Sequence, residues 1–397
     1  MVRQKKKFDV VYICPVEFPD GGAAAKRILN VARTLKLLGL NVLIISGSRS
    51  LNETCLVHDD IEIYRINERS LEHYPKVIRY LGYIFFGRKS VSLLDKLNVR
   101  PRFVFVYAGY TPYLLNILWW SRKNQSRVIF DAVEWYKPNN IWGFCNPYYW
   151  NIEFAMRFLL PRCDGLICIS KYLETYYSRT QVPLFRMPPT FKDTSVVIRS
   201  IEFTPSEIIL VYAGSPEKKD ELKAIISAVI NFKSKKLNIH LRVVGISPED
   251  ARHLYGENKN NRIVFLGRVK HNVALEHVSR AHFTVLLRKN TIPSAAGFPT
   301  KVVESLSLGV PVICNETSDL SSVIEDNING IRVDGYSSNA LIKALKSLED
   351  LSASDYSKLR LNARKTAEDK FLFSAYKTPL ANFLERVEKK DDSRVYR

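Results

Sequence analysis

Residues 8–46 read FDVVYICPVEFPDGGAAAKRILNVARTLKLLGLNVLIIS, and the order of apolar and amphipathic segments in this stretch decides the fold. Phe8–Cys14 predicts a buried strand, and Asn41–Ser46 predicts a second one. Between them, Ala23–Leu38 has helical spacing and is closed by Gly39. A strand, a helix and a strand in this order form a βαβ unit, in which the two strands lie parallel.

The same alternation recurs along the chain in two series. Further strands of the first series are predicted at Ile61–Ile66, Phe103–Tyr107, Val128–Phe130 and Leu166–Ile169. Prolines from Pro183 to Pro189, followed by polar residues through Ser206, predict a linker. In the second series, strands are predicted at Ile208–Ala213, Ile239–Val244, Ile263–Leu266, Phe283–Leu287 and Val312–Cys314, and helices at Lys219–Asn231 and Val302–Leu308. We therefore predict two doubly wound, Rossmann-like α/β domains with an interdomain cleft.

The length of 397 residues allows two domains, each with its own core. We assign residues 1–190 to one domain and residues 191–374 to the other. A carboxy-terminal helix at about 375–397 is expected to pack back on the first. Hydrophobic residues make up 46% and charged residues 25%, which is typical of a folded protein and excludes a disordered one.

Targeting and redox signals point to the cytoplasm. No apolar run approaches the ~18–20 residues that a membrane-spanning helix needs. The amino terminus shows no signal-peptide core, and the six cysteines show no CxxC spacing that would indicate a zinc site or a disulfide framework. We expect a cytoplasmic protein that binds no metal ion and needs no cofactor.

The net charge of +19 is concentrated in the first half of the chain. Residues 76–89, KVIRYLGYIFFGRK, mix basic and aromatic residues without an acid, and Trp119-Trp120 precede Arg122-Lys123. Such a surface suits contact with an anionic membrane. Two alternatives stay open, a solvated basic face and burial of Ile78, Leu81, Ile84 and Phe85, which have helical core spacing. Nucleic acid is not an expected partner, since no P-loop, zinc-finger or RNP pattern is present.

Three loops that follow predicted strands could bind an anion. The first contains Gly21 and Gly22, whose lack of a side chain lets a ligand approach the start of the next helix. Taken alone, these glycines favour the alternative of a tight strand-to-helix turn. The second loop, Gly214–Asp220, carries Lys218 and Lys219 at a predicted helix start, where cations are unfavourable unless an anion joins them. An ordinary solvated helix start is the alternative.

The third loop, residues 294–304, reads SAAGFPTKVVE. Pro299 lies near the first helical position, so Gly297 and the backbone N–H groups of Thr300 and Lys301 could cradle a phosphate. Glu304 lies about one turn further along and could accept hydrogen bonds from ribose hydroxyls. Alternatively, Glu304 is an exposed helix acid that Lys301 neutralises.

Residues 297–311, GFPTKVVESLSLGVP, resemble the nucleotide-sugar signature of glycosyltransferase family 4, a retaining family with the GT-B fold. The similarity extends in the same order through Gly21-Gly22, Gly214 with Lys219, Val244-Gly245 and Phe265-Leu266-Gly267. It implies a UDP- or GDP-linked sugar as donor substrate and retention of the anomeric configuration. On this basis residues 1–190 are expected to bind the acceptor and residues 191–374 the nucleotide sugar.

For the donor site, the resemblance implies that Glu304 binds ribose and that Lys219 binds phosphate. The loop after Gly267, with Arg268, corresponds to the base-binding region. The residues that this resemblance assigns to donor binding are Gly22, Gly214, Ser215, Lys219, Arg268, Gly297, Phe298, Pro299, Thr300, Lys301 and Glu304.

Two donor-site positions depart from the family pattern. Ala296 stands where the first glutamate of a paired-glutamate motif is expected, so sugar contact is expected to pass to the Gly297–Thr300 backbone. Ser215 replaces an arginine, for which Arg288 or Lys301 could substitute. No Asp-x-Asp sequence occurs in the chain, and we expect lysines and a helix start to stabilise the leaving diphosphate without a metal ion.

On the acceptor side, Asp131-Ala132-Val133-Glu134 stands where the family often has Asp-x-His-Glu. Val133 replaces the histidine, which leaves Asp131 and Glu134, with Lys219, as the expected catalytic residues. A carboxylate in a cleft can exchange protons near neutral pH when burial raises its pKa. The alternative is that Asp131 caps the next turn.

The sequence therefore predicts a hexosyltransferase-type enzyme that moves sugar from a nucleoside-diphosphate sugar to a glycan or lipid-linked acceptor. The expected role is the synthesis of cell-surface polysaccharide or glycoconjugate, peripheral on the inner face of the membrane. Two alternatives stay open. One is a sugar-nucleotide epimerase, and the other is a noncatalytic GT-B partner that stabilises another transferase.

Overall fold

The computed structural model describes residues 7–19, 21–47, 53–68, 74–75, 78, 82–138, 141–192, 203–215, 219–256 and 260–392. These residues form two compact units, one of residues 1–190 with 373–397 and one of residues 191–372. Each unit is built on one sheet of mostly parallel strands with helices, so the prediction of two Rossmann-like α/β units is confirmed. Within the described ranges, no helix is both long and apolar enough to cross a membrane.

The sheet of the first unit has the strand order β3-β4-β2-β1-β5-β6-β7-β8. All its pairings are parallel except that of β3 with β4. The central strands are buried along their whole length, as expected for a parallel sheet covered on both faces. The strands are β1 (Val10–Cys14), β2 (Val42–Ser46), β3 (Thr54–His58), β4 (Ile61–Arg65), β5 (Phe103–Tyr107), β6 (Arg127–Ala132), β7 (Gly165–Cys168) and β8 (Leu184–Arg186).

Helices connect these strands and cover the sheet. They are α1 (Gly22–Leu37), α2 (Arg88–Lys96), α3 (Thr111–Lys123), α4 (Ile141–Phe144), α5 (Pro147–Phe154) and α6 (Lys171–Tyr177). A π-helical turn, Ala155–Leu159, continues α5. The carboxy-terminal helix, Lys377–Asp392, also belongs to this unit, where the ring of Phe383 stacks on Phe185 of β8 at 5.5 Å.

The sheet of the second unit has the order β11-β10-β9-β12-β13-β14, and all its pairings are parallel. Its strands are β9 (Glu207–Ala213), β10 (Asn238–Val244), β11 (Ile263–Phe265), β12 (Phe283–Leu286), β13 (Val312–Asn315) and β14 (Gly330–Val333). Its helices are α7 (Leu222–Asn231), α8 (Pro248–Tyr255), α9 (His271–Ser279), α10 (Ile292–Ala296), α11 (Thr300–Ser307), α12 (Ser338–Lys346) and α13 (Ala353–Phe371), and the carboxy-terminal helix of the first unit is α14.

Three details of the sequence prediction are wrong. The predicted linker begins too early, because Leu184–Arg186 is strand β8, paired with β7. Asp131 lies within β6 rather than after it. The helix predicted from Lys219 begins only at Leu222, because the amide of Glu221 donates to the carbonyl of Leu287 at 2.8 Å and keeps this segment beside the end of β12.

Candidate active site

The carboxyl ends of β9 and β10 meet at two glycines. Gly214 donates its amide to Val244 at 2.9 Å, and Gly245 donates its amide to Gly267 at 2.8 Å. A Cβ on Gly245 would lie 2.5 Å from the carbonyl oxygen of Gly214, so only glycine allows these two turns to pack together. Ligands of open α/β sheets bind at this edge, outside the carboxyl ends of the strands.

A buried carboxylate beside this edge collects three partners. The Asp220 carboxylate accepts hydrogen bonds from Lys301 Nζ at 2.7 Å, from Arg288 Nε at 2.7 Å and from the Tyr212 hydroxyl at 2.6 Å. The side chain of Asp220 is fully buried. Residues from β9, from the end of β12 and from α11 thus meet on one side chain, which fixes their relative positions in the second unit.

The three charged members of this cluster are two cations and one anion. Lys301 is 14% exposed, whereas Arg288 is only 5% exposed. The Lys301 ammonium lies 4.2 Å from the centre of the Tyr212 ring, and a Cβ on Gly214 would lie 3.4 Å from the same ammonium. The more exposed of the two cations therefore lies at the end of β9, next to the backbone of Gly214.

The pKa of Asp220 shows whether burial or the neighbouring cations have the larger effect on this carboxyl. Burial raises the pKa of the carboxyl, but the charges of Lys301 and Arg288 outweigh burial and hold the pKa below its usual value. Asp220 is therefore ionised at neutral pH, and the cluster keeps one net positive charge there.

The loop before α11 is held by packing and hydrogen bonding. Pro299 is the N-cap of α11, as its predicted position near the helix start required. Ser318 Oγ donates to the Gly297 carbonyl at 2.5 Å, and the buried ring of Phe298 contacts Phe371 at a centroid distance of 5.7 Å. Thr300 and Lys301 are the first two residues of α11, so Lys301 is part of the first helical turn, where the helix dipole is positive.

Glu304 lies further along α11 and is partly exposed. Its Oε1 is 3.5 Å from Nε2 of His271, the first residue of α9. Sequence reasoning did not select His271, and no spacing signal links it to Glu304 because 33 positions separate them. Arg268 is exposed in the loop between β11 and α9.

The remaining donor-site predictions lie around the same strand end. Ser215 is exposed directly after Gly214, and Lys219 is partly buried just before Asp220. The Lys219 carbonyl accepts the amide of Lys289 at 3.2 Å. Lys218 lies outside the described residues. Ala296, at the position of the expected first glutamate, is fully buried at the end of α10.

In the second unit, the structure thus brings together Gly214, Lys301 and Arg288 of the predicted set. Sequence reasoning missed two members of the cluster, Asp220 and Tyr212. The position of Asp220 directly after Lys218-Lys219 was a weak signal in the sequence. Tyr212 lies within an apolar strand, and no sequence signal distinguished it.

The first unit contains a second buried carboxylate. Asp131 on β6 is fully buried and accepts hydrogen bonds from Arg27 Nη2 at 2.6 Å and from the Tyr12 hydroxyl at 2.6 Å. Arg27 also donates to the Met187 carbonyl at 2.9 Å. Turn capping by Asp131, which was the alternative to a catalytic role, is wrong because both carboxylate oxygens bind Arg27 and Tyr12 instead. Burial and the Asp131 charge raise the pKa of Tyr12.

Glu134 and Gly22 complete the predicted residues of the first unit. Glu134 is half-buried after the end of β6, and the buried side chain of Val133 precedes it. Gly22 begins α1 with a φ of +66°. The preceding Gly21 has no room for a side chain, because a Cβ would lie 1.9 Å from the Glu17 carbonyl oxygen. Asp20 lies outside the described residues.

Among the described residues, no group of three or more His, Cys, Asp or Glu side chains is arranged to hold a metal ion. The site in the second unit instead offers cationic side chains and a helix start. Such a site can hold the negative charge of a diphosphate.

Comparison with known proteins places this site in a recognised domain. Residues 196–368 match the family model of the glycosyl transferases group 1. No curated protein sequence matches the chain. The group 1 domain contains the Gly214 turn, the Asp220 cluster and Glu304, so the prediction that the chain is a glycosyltransferase is confirmed.

Solved structures are similar over nearly the whole chain. Sucrose-phosphate synthase from Thermosynechococcus elongatus matches with a TM-score of 0.75 and 15% identity, covering 96% of this chain and 100% of that one. Anabaena Alr3699/HepE in complex with UDP and glucose matches with a TM-score of 0.65 and 12% identity, covering 95% and 99%. A glycosyltransferase from Rickettsia africae matches with a TM-score of 0.64 and 14% identity, covering 96% and 99%. These likenesses establish the GT-B fold.

Proposed function

We propose that the chain is a retaining glycosyltransferase of family 4, which moves a sugar from a nucleoside-diphosphate sugar to a glycan or lipid-linked acceptor. The observation that carries the proposal is the pairing of two cations, Lys301 and Arg288, with the single Asp220 carboxylate at the carboxyl end of β9 within the group 1 domain. Breaking the bond between sugar and diphosphate develops negative charge on the leaving oxygens, and fixed cations stabilise that charge.

Each donor-site residue has a role in this proposal. Lys301, the start of α11 and Lys219 hold the diphosphate, and Gly214 and Ser215 let it approach the strand end. Asp220 positions Lys301 and Arg288 without touching the substrate. This arrangement supplies positive charge from side chains, which supports a reaction without a metal ion.

The sugar and the nucleoside bind on either side of the diphosphate. Glu304 accepts hydrogen bonds from ribose hydroxyls, with His271 beside it, and Arg268 lies near the base. The backbone of Gly297–Thr300 contacts the sugar. The complexes of HepE with UDP and with UDP-glucose support a uridine nucleotide as the first donor to test.

In the first unit, the burial of Asp131 separates the roles of the two expected carboxylates. Glu134 is half-buried, and we assign it the contact with the acceptor hydroxyl. Asp131 is a positioning residue that acts through Arg27, and Gly22 gives the helix start of α1 an open backbone. A cytoplasmic enzyme of cell-surface polysaccharide or glycoconjugate synthesis, in contact with an anionic membrane, is the biological role that we propose.

A noncatalytic partner of another transferase is the second candidate. Two observations favour it, the buried Ala296 where a glutamate is expected and the exposed Ser215 where an arginine is expected. Without the expected glutamate and arginine, the protein would bind sugar and phosphate more weakly but keep its fold.

Incubation of the protein with radiolabelled UDP- and GDP-sugars distinguishes the two candidates. Slow donor hydrolysis that Glu304→Ala and Lys219→Ala each abolish is the result expected of the enzyme. Epimerised sugar would identify an epimerase, and the absence of turnover with every donor would identify the noncatalytic partner. Lys289→Ala, a change of an exposed lysine paired with Glu221, is the matched control and should retain hydrolysis.

A further inference from the structure

Three large apolar side chains line the outer side of α5 and its π-helical continuation. Trp150, Phe154 and Phe158 are 58%, 46% and 50% exposed. Their spacing of four residues places them on one side of the helix, and the rings of Phe154 and Phe158 lie 5.2 Å apart. We name these three residues the aromatic face. Ile152 and Met156 of the same segment are buried, so it packs against the unit with one apolar side and exposes aromatic rings where an ordinary surface helix carries polar residues.

Two neighbouring segments of the first unit also expose large apolar side chains. Helix α3 exposes Leu115 and Trp119, and the segment before α2 exposes Ile84 and Phe85. Helix α3 is hydrogen-bonded to both neighbours. The Thr111 amide donates to Asn151 Oδ1 of α5 at 2.7 Å, and Asn116 Nδ2 donates to the Phe86 carbonyl, before α2, at 2.8 Å.

The exposure of this surface is not a general property of the chain. The core alternative for Ile84 and Phe85 is wrong, since both are exposed, and Leu81 lies outside the described residues. Exposed large apolar residues of the second unit, such as Leu254 on α8 and Leu361 on α13, lie one to an element, whereas α5 and its continuation expose three on one side. A cluster of exposed apolar side chains on one side of a helix marks a binding surface, whereas single exposed apolar residues do not.

Cations accompany the exposed rings. The Lys123 ammonium lies 5.8 Å from the centre of the Trp119 ring, and the Arg88 guanidinium lies 4.7 Å from the centre of the Phe85 ring. Arg157 is exposed between Phe154 and Phe158 and pairs with Glu153 at 2.7 Å. Glu153 is buried and balances the charge of Arg157, so the positive charge beside the rings comes from residues such as Lys123 and Arg88.

We propose that the aromatic face inserts into the headgroup region of a membrane that contains anionic lipid. Aromatic rings favour the boundary between headgroups and acyl chains, and the cations beside them favour anionic headgroups. This inference rests on the membrane partner of the proposed function and deepens it. Electrostatic contact through basic residues is weakened by salt, whereas insertion of rings is not, so the two contributions can be separated.

Sedimentation of the full chain with vesicles tests the proposal. Vesicles of phosphatidylcholine with phosphatidylglycerol, and of phosphatidylcholine alone, are compared at low and high salt. The wild-type chain should bind the anionic vesicles more tightly and keep measurable binding at high salt. The triple variant Trp150→Ser/Phe154→Ser/Phe158→Ser should bind at least about tenfold more weakly at high salt, because it loses three inserted apolar side chains.

A matched control uses exposed apolar residues of the second unit. Leu254→Ser/Leu361→Ser should leave vesicle binding unchanged. Urea unfolding followed by circular dichroism verifies that the triple variant is folded. Quenching of Trp119 and Trp150 fluorescence by lipids brominated on the acyl chains should be strong in the wild type, and changing either tryptophan to serine should reduce it.

Three results would overturn the inference. They are no vesicle binding by the wild type, vesicle binding that the triple variant retains in full, and self-association without vesicle binding that the triple variant loses. The last result would assign the aromatic face to a second copy of this chain. Vesicle binding without donor turnover would defeat the proposed enzyme and leave this inference standing, whereas donor turnover without vesicle binding would defeat this inference alone.

Discussion

Both units carry a buried aspartate near the carboxyl edge of the sheet, and in both a tyrosine hydroxyl from a central strand donates to it at 2.6 Å. The cations differ. Asp131 of the first unit binds one arginine, Arg27, whose guanidinium also donates to the backbone of Met187. Asp220 of the second unit binds Arg288 and Lys301 together.

We propose that this difference separates a structural pair in the first unit from a donor site in the second. In the first unit one cation balances one anion, and both are fully or almost fully buried. In the second unit two cations share one buried carboxylate, and the more exposed of the two, Lys301, lies at the end of β9. A buried charge balanced within the protein fixes a loop, whereas a more exposed charge at a strand end attracts a ligand of opposite sign.

Breaking the balanced pair should have the largest effect. Arg27→Met leaves the Asp131 charge buried without its cation, and we expect a loss of about 3–5 kcal/mol in the free energy of unfolding. Urea unfolding followed by circular dichroism measures the loss. Arg33→Met on the same helix removes a more exposed pair with Asp59 and should cost less than about 1 kcal/mol. Equal losses in the two variants would contradict a special role of the Arg27 pair.

Removal of the more exposed cation of the Asp220 cluster should affect turnover more than stability. In Lys301→Met, Asp220 keeps Arg288, so the fold is retained while the diphosphate loses its cation. We expect kcat of donor hydrolysis to fall about 10²–10³-fold. Lys289→Met is the control, with less than about a twofold change. Unchanged turnover in Lys301→Met would show that Lys301, like Arg27 of the first unit, only pairs with a buried aspartate and does not act on the donor.

Glu304 should set donor affinity. Glu304→Gln replaces a charged acceptor of ribose hydroxyl groups by a neutral one, and we expect KM for the nucleotide sugar to rise about tenfold with a smaller change in kcat. The exposed Glu316, paired with Arg332, provides the control Glu316→Gln, which should leave KM unchanged. An unchanged KM in Glu304→Gln would contradict the proposal that Glu304 binds the ribose.

Acid should weaken the second unit through Asp220. The pKa of this carboxyl is lower in the folded chain than in the unfolded chain, so its contribution is present above the unfolded value and is lost as the pH falls through the folded value. The free energy of unfolding should therefore fall more in the wild type than in Asp220→Asn when the pH is lowered from 5 to 3. These two pH values lie about one unit above and about one unit below the pKa of an unfolded aspartate. Parallel losses in the two proteins would show that Asp220 does not carry this dependence.

Much of the fold follows from local pattern. Apolar runs such as Val10–Cys14 and Val42–Ser46 are buried throughout, and their length and spacing predict parallel strands. Three strands escaped prediction for physical reasons. Thr54–His58 is an exposed antiparallel edge strand, Leu184–Arg186 has three residues among prolines, and Gly330–Val333 is short and begins with glycine.

The site was only partly predictable. Local patterns identified Lys301 and Glu304, because both follow a loop of glycine and proline into a helix. They did not identify the Asp220 cluster, since Asp220 lies 68 positions before Arg288 and 81 before Lys301. The burial of Asp131 likewise depends on Arg27, which is 104 positions away. Contacts over such distances come from the topology of the sheet rather than from any one stretch.

A crystal structure of the full chain with bound UDP or GDP tests the central claim most directly. The account predicts the diphosphate within hydrogen-bonding distance of Lys301 Nζ at the start of α11, with Glu304 contacting the ribose. A nucleotide bound elsewhere, with Lys301, Lys219 and Glu304 facing bulk water, would contradict it.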